Sequence, residues 1–131
     1  MVMQFSQKDP RWALLAFPFT LGTYGCFIVA LSCLTGKTPD NLLKLLLAKD
    51  CFNDKGELIN AKAAFVLGFK RYQWLVPNTQ IVAPIICETD FYAPEFPKHF
   101  FVALPNGQII DPLTGLQCKN KYNIVSQRLF V

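Results

Sequence analysis

The hydrophobic positions in the first half of the chain predict helices. A charge-free apolar stretch runs from Cys26 to Leu34 and is followed by Gly36, so a buried helix is predicted there, ended by the glycine. Thr38, with a proline and an aspartate directly after it, is typical of a second helix start. Five leucines give that helix a broad apolar face: Leu42, Leu43, Leu45, Leu46 and Leu47.

A turn and a shorter third helix are predicted next. The polar sequence Asn-Asp-Lys-Gly at 53–56 is typical of a turn. Asn60 is then expected to cap a helix over residues 61–67, and Gly68 is expected to end it.

The second half of the chain predicts β-strands instead. Short β-branched or aromatic runs at 81–87, 99–104 and 109–110 are bounded by prolines and turn residues. Helices followed by strands predict an α+β domain, in which an antiparallel sheet packs against a helical layer. No repeat or linker divides the sequence, so residues 1–131 are expected to form a single domain.

Two of the predicted strands form a hairpin with two possible registers. The strand that His99 opens turns at Pro-Asn-Gly (105–107) into the strand that Asp111 ends. A two-residue Asn-Gly turn would place Asp111 on the face away from His99. A three-residue loop, with glycine in the left-handed bulge position, would pair Leu104 with Gln108 and bring Asp111 and His99 to one face. The proline at the first loop position favours the second register.

Composition narrows the class of protein. Hydrophobic residues make up 52% of the chain and charged residues 17%, which is typical of a compact globular domain. The net charge of +4 is spread along the sequence without a basic stripe. Nucleic-acid binding is therefore not expected.

The cysteines indicate a reducing, cytosol-like environment. There are five of them, an odd number, and none forms a CxxC pair, which argues against a disulfide framework and against a zinc site. His99 is the single histidine, so no metal or other cofactor is expected. Four of the cysteines are predicted to be packing residues: Cys33, Cys51, Cys87 and Cys118.

Residues 12–36 carry no charge, so their hydropathy alone would suggest a membrane span or a signal peptide. Pro18, Gly22 and Gly25 interrupt it, and the Asp-Pro pair at 9–10 does not fit a basic leader. No membrane or export role is expected.

Cys26 is the residue that most suggests chemistry. A thiol at a helix N-terminus lies at the positive end of the helix dipole, which favours the nucleophilic thiolate. Gly22 and Gly25 would allow a tight, strained approach to it. A lone cysteine is more often a packing residue, and a lone histidine more often structural. A Gly-Cys pair that opens a helix and a later His-Asp hairpin nevertheless form a Cys26, His99, Asp111 order that random cores seldom produce. The three residues could serve as a nucleophile, a base and an orienting carboxylate.

That order resembles the papain-like cysteine peptidase superfamily. Its nearest branch is the family of bacteriocin-processing, double-glycine leader peptidases and their stand-alone relatives in bacteria and phages. The resemblance covers most of the chain and rests on these segments: Gln7 to Trp12, Tyr24-Gly25-Cys26, Thr38-Pro39, His99 to Val102 and Ile110-Asp111-Pro112.

The resemblance implies a papain-like fold and a role for each site residue. Cys26 becomes the nucleophile, His99 its general base and later acid, and Asp111 the residue that orients His99. Gln7 becomes the side-chain donor to the oxyanion, beside the backbone N–H of Cys26, with Gln4 as the second choice. The N-terminal helices are expected to pack on the C-terminal antiparallel sheet.

The resemblance also implies a cysteine peptidase or amidase, cytoplasmic or phage-associated, acting on a peptide or peptidoglycan-like substrate. Phe27 departs from the family, in which a small residue often follows the cysteine, and is expected to narrow the cleft. One alternative is a catalytically inactive papain-like domain with a peptide-binding or structural role. Another is an acyl transferase that uses the same triad.

Overall fold

The computed structural model describes residues 2–17, 19–20, 25–90 and 98–131. Three helices lie in the first half of the described chain: α1, Cys26–Thr35; α2, Pro39–Ala48; and α3, Asn60–Val66. None of the described helices is long and apolar enough to cross a membrane.

The strands form one large antiparallel sheet and one small ribbon. Two short strands form the ribbon: β1, Ala16–Phe17, and β2, Phe19–Thr20. Six strands form the sheet: β3, Tyr72–Leu75; β4, Ile85–Thr89; β5, His99–Ala103; β6, Gln108–Asp111; β7, Leu116–Lys119; and β8, Ser126–Phe130. Their order is β3-β8-β4-β5-β6-β7. The predicted α+β class with an antiparallel sheet is confirmed.

The core is divided by the sheet. Because side chains alternate along a strand, each strand contributes to both faces. On one face the helices bury a cluster that includes Trp12, Leu31, Leu42 and Val102. On the other face lies a smaller cluster of buried residues: Ile85, Cys87, Phe101, Ala103 and Ile109.

The first two helices begin where the sequence predicts. α1 extends one residue beyond Leu34, and Gly36 caps it in the left-handed region, with φ 75°. Thr38 occupies the N-cap position of α2, although its hydroxyl caps no backbone N–H. The predicted apolar face is too broad, since Leu47 is 44% exposed.

The predicted cap of the third helix is wrong. Ile59 occupies the N-cap position and Asn60 is the first helical residue. The Asn60 side chain instead donates a hydrogen bond to the Tyr72 hydroxyl at 3.3 Å, a tertiary contact that local sequence does not indicate.

The strand predictions are correct in part. β4 begins at Ile85, four residues later than expected, directly after Pro84, which has no N–H to donate to a sheet. β3, β7 and β8 were not predicted. All four residues of β7 are exposed, and β8 buries polar side chains such as Gln127 and Arg128, so neither strand has the expected alternation.

Candidate active site

The hairpin has the register of the three-residue loop. Val102 pairs with Ile110, and the N–H of Leu104 donates to the carbonyl of Gln108 at 2.9 Å. Gly107 has φ 82°, in the left-handed region that glycine tolerates best. The two-residue alternative is therefore wrong, and His99 and Asp111 share a face.

The register brings the imidazole and the carboxylate into direct contact. His99 Nε2 lies 2.8 Å from Asp111 Oδ1, and the two residues are only 2% and 4% exposed. Asp111 also accepts hydrogen bonds from the Leu113 N–H and the Tyr122 hydroxyl, each at 3.0 Å. An ionised carboxylate only accepts hydrogen bonds, so Nε2 carries the proton between them.

The electrostatics of this contact favour a charged pair. Burial lowers the pKa of His99, but hydrogen bonds to Asp111 and Cys26, with the charges of those groups, raise it from 6.5 to about 9. Burial raises the pKa of Asp111, but hydrogen bonds from His99, Leu113 and Tyr122 hold it below its usual value. Each partner therefore stabilises the charged form of the other.

Cys26 completes the cluster. It is the first residue of α1 and it is half-buried, and its thiol is one of the two side chains that raise the pKa of His99. Since Asp111 occupies Nε2, Nδ1 is the ring nitrogen left for the thiol. The predicted strain before the thiol is absent at Gly25, which has φ −89° and ψ 17°. Gly22 and Tyr24 lie outside the described residues.

Phe27 packs between α1 and the sheet. Its ring meets Phe100 edge-on, with the centroids 4.9 Å apart, and Phe130 at 6.2 Å. Phe27 and Phe100 directly follow Cys26 and His99 in the sequence. Their contact therefore ties the start of α1 to the start of β5.

The segment before β1, residues 2–15, forms an N-terminal arm that places Gln7 beside the end of β6. Gln7 is 1% exposed, and its N–H donates to the carbonyl of Pro112 at 2.6 Å. The Ser6 hydroxyl donates to the carbonyl of Leu113 at 3.0 Å, which fixes the same segment. Gln4, the second choice, is exposed. The structure thus brings Gln7, and not Gln4, to the strand that carries Asp111.

The other cysteines divide into two groups. Burial raises the pKa of Cys33 to about 11 and that of Cys87 to about 12, and Cys51 is also buried. Cys118 is exposed on β7. The packing prediction is therefore wrong for Cys118, because β7 lies at the edge of the sheet and all four of its residues are exposed.

Tyr122 is the site residue that sequence reasoning missed. It lies beyond the hairpin, in the segment between β7 and β8, where no turn rule relates it to Asp111. Within the described part of the chain, no group of three His, Cys, Asp or Glu side chains could hold a metal ion. The side chains that do converge are a thiol, an imidazole, a carboxylate and a phenol.

Comparisons with protein-family models, with curated proteins and with solved structures found no significant match.

Proposed function

We propose that this protein is a papain-like cysteine peptidase or amidase. The observation that carries the proposal is the buried His99–Asp111 ion pair, at 2.8 Å, with the Cys26 thiol at the start of α1 acting on the same imidazole. A thiol at a helix start, an imidazole and an orienting carboxylate are the three groups that nucleophilic catalysis by cysteine requires.

In the proposed reaction, the Cys26 thiolate attacks the carbonyl carbon of an amide. His99, as imidazolium, then gives its proton to the leaving amine, and a thioester to Cys26 remains. Neutral His99 next takes a proton from water, which attacks the thioester and releases the acid. Asp111 keeps the proton on Nε2 throughout, so that Nδ1 faces the reacting atoms.

Gln7 is proposed to stabilise the oxyanion with its side-chain amide, together with the backbone N–H of Cys26. A neutral donor aimed at developing negative charge typically contributes about 10²–10³ in rate. The support from this chain is the position of Gln7, buried against the residue that follows Asp111.

A peptide or a peptidoglycan-like cross-link is the proposed substrate, and a cytoplasmic or phage-associated setting is the proposed location. Both follow from the resemblance of the motifs around Cys26 and His99 to leader peptidases and their stand-alone relatives.

The first test is the pH dependence of alkylation, read thiol by thiol by peptide mass mapping. Cys118 is exposed and serves as the reference thiol in the same molecule. Cys26 should be alkylated rapidly at pH 6, and His99→Ala should abolish that advantage. If Cys26 is alkylated no faster than Cys118 at pH 6 in the unaltered protein, the proposal is wrong and a non-catalytic domain remains.

The second test is capture of the acyl-enzyme. The protein is incubated with double-glycine peptides and with peptidoglycan fragments, with Cys26→Ala as the blank. A thioester adduct at Cys26 and a cleaved product are expected. An adduct that forms product only when an amine is supplied would instead identify an acyl transferase.

A further inference from the structure

Asp111 is held through both of its carboxylate oxygens. Oδ1 accepts from His99 Nε2 at 2.8 Å and from the Leu113 N–H at 3.0 Å. Oδ2 accepts from the Tyr122 hydroxyl at 3.0 Å. The terminal torsion of an aspartate is broad and has no sharp minimum of its own, so a donor on the second oxygen fixes the plane of the carboxylate.

Hydrogen bonds of Asn120 and ring contacts of Tyr122 hold the Tyr122 hydroxyl beside Asp111. The Asn120 N–H donates to the carbonyl of Gly107 at 3.2 Å, and Asn120 Oδ1 accepts from the Tyr122 N–H at 2.8 Å. The Tyr122 ring packs on Phe101, with the centroids 5.5 Å apart, and forms a T-shaped pair with the His99 ring, with the centroids 6.4 Å apart. The segment after β7 is thereby tied to the β5–β6 hairpin that carries the site.

We propose that Tyr122 is a positioning residue of the active site, whose hydroxyl holds the Asp111 carboxylate so that Oδ1 faces the His99 imidazole. This inference rests on the proposed function only for its effect on Cys26. A phenol suits the role because it donates a hydrogen bond without adding a positive charge that would compete with His99 for the carboxylate.

The test is Tyr122→Phe, which keeps the ring that packs on Phe101 and removes only the hydroxyl. His99 is the single histidine, so its ring N–H resonances are unambiguous in NMR spectra. The loss of one hydrogen bond to a charged group should accelerate exchange of the Nε2 proton with water by about tenfold. Cys26 alkylation at pH 6 should slow by about tenfold.

The matched control is Tyr72→Phe. The Tyr72 hydroxyl is hydrogen-bonded as well, although it accepts, from the Asn60 side chain at 3.3 Å, and its ring also packs at the edge of a core cluster. Removing it should leave both His99 exchange and Cys26 alkylation unchanged. Thermal unfolding of both variants checks that they are folded.

A double-mutant cycle shows whether Tyr122 acts through Asp111. In an Asp111→Asn background, Tyr122→Phe should add little to either measurement, because the two side chains act as one unit. Unchanged exchange in Tyr122→Phe, equal effects of the two tyrosine variants, or a full effect in the Asp111→Asn background would each overturn the proposal.

The two proposals fail in different ways. Alkylation of Cys26 at pH 6 that is no faster than that of Cys118 would end the proposed peptidase function. The exchange of the His99 Nε2 proton would still show whether Tyr122 positions Asp111.

Discussion

Two buried ion pairs lie on opposite faces of the same sheet. His99 meets Asp111 at 2.8 Å, and Arg128 meets Glu88 at 3.1 Å. The side chains in both pairs are almost wholly buried. Alternation along β4 and β5 separates the pairs, because Glu88 is paired with Phe100, the residue next to His99.

Each pair is also completed by a hydroxyl and an aromatic ring. The Ser126 hydroxyl donates to Glu88 at 2.9 Å, and the Arg128 guanidinium lies over the Trp74 ring at 3.6 Å. In the His99–Asp111 pair, Tyr122 supplies both groups: its hydroxyl donates to Asp111, and its ring contacts the ring of His99.

The difference lies in what each pair touches next. The Cys26 thiol acts on His99 and raises the pKa of its imidazole, whereas Arg128 stacks on Trp74 and contacts the ring of Phe100. Burial and charge pairing alone therefore do not identify a reactive site. The neighbouring nucleophile distinguishes a candidate catalytic pair from a structural one.

The largest expected effect separates the two carboxylates. Asp111→Asn should reduce the alkylation rate of Cys26 at pH 6, and the turnover of any cleaved peptide, by about 10²–10⁴, since an amide permits the wrong tautomer of His99. The matched variant Glu88→Gln should leave both rates within a few-fold. Similar losses in the two variants would break the distinction between the pairs.

The Arg128–Glu88 pair, which should matter little for the reaction rates, should matter for the free energy of unfolding. Arg128→Met leaves the Glu88 charge buried without its partner, and we expect a loss of about 3–5 kcal/mol in the free energy of unfolding. Denaturant titration measures it. The double variant Arg128→Met/Glu88→Leu should recover most of that loss, and its failure to do so would show that the contact with Trp74, not the ion pair, stabilises this face.

The pH dependence of stability should come from the other pair. The pKa of His99 is raised from 6.5 to about 9, so its contribution is fully present below pH 6.5 and is lost as the pH rises through 9. The contribution is at most about 3 kcal/mol. Denaturant titrations at several pH values should show a steeper decline for the unaltered protein than for Asp111→Asn, which lacks the charge that favours imidazolium.

Ionisation of the buried Cys33, Cys51 and Cys87 on unfolding also lowers stability above pH 8. It does so equally in both proteins, so the difference between them reports on His99 and the thiol beside it. Parallel curves would mean that the imidazole gains no proton affinity from Asp111.

The contact between His99 and Asp111 could be predicted from the sequence, whereas the contact between Glu88 and Arg128 could not. His99 and Asp111 are twelve residues apart in a hairpin whose Pro-Asn-Gly loop sets the register. Glu88 and Arg128 are forty residues apart and meet through the pairing of β4 with β8. No local rule predicts that pairing.

The same distinction applies to the rest of the fold and site. The helix that starts at Cys26 follows from an apolar run and a glycine stop, both local features. The proximity of Cys26 to His99 was expected only from resemblance, and Tyr122 could not be placed at all. Gln7 reaches Pro112 across more than a hundred residues, a contact that depends on the whole tertiary structure.

The smallest expected effect concerns the arm that carries Gln7. Gly115 has φ +72°, and a Cβ added there would lie 3.0 Å from the Cβ and backbone nitrogen of Ser6. Gly68 has φ +87° but open space around it. Gly68→Ala should therefore lose only the left-handed preference, about 1 kcal/mol, and Gly115→Ala about 2 kcal/mol.

The two glycine variants also separate parts of the site. Since Ser6 precedes Gln7, Gly115→Ala should slow peptide cleavage more than it slows Cys26 alkylation, which needs no oxyanion donor. Gly68→Ala should change neither rate. Equal losses of unfolding free energy in the two variants, measured by denaturant titration, would show that the arm moves aside without cost. The position of Gln7 would then depend on its hydrogen bond to Pro112 and not on close packing against Gly115.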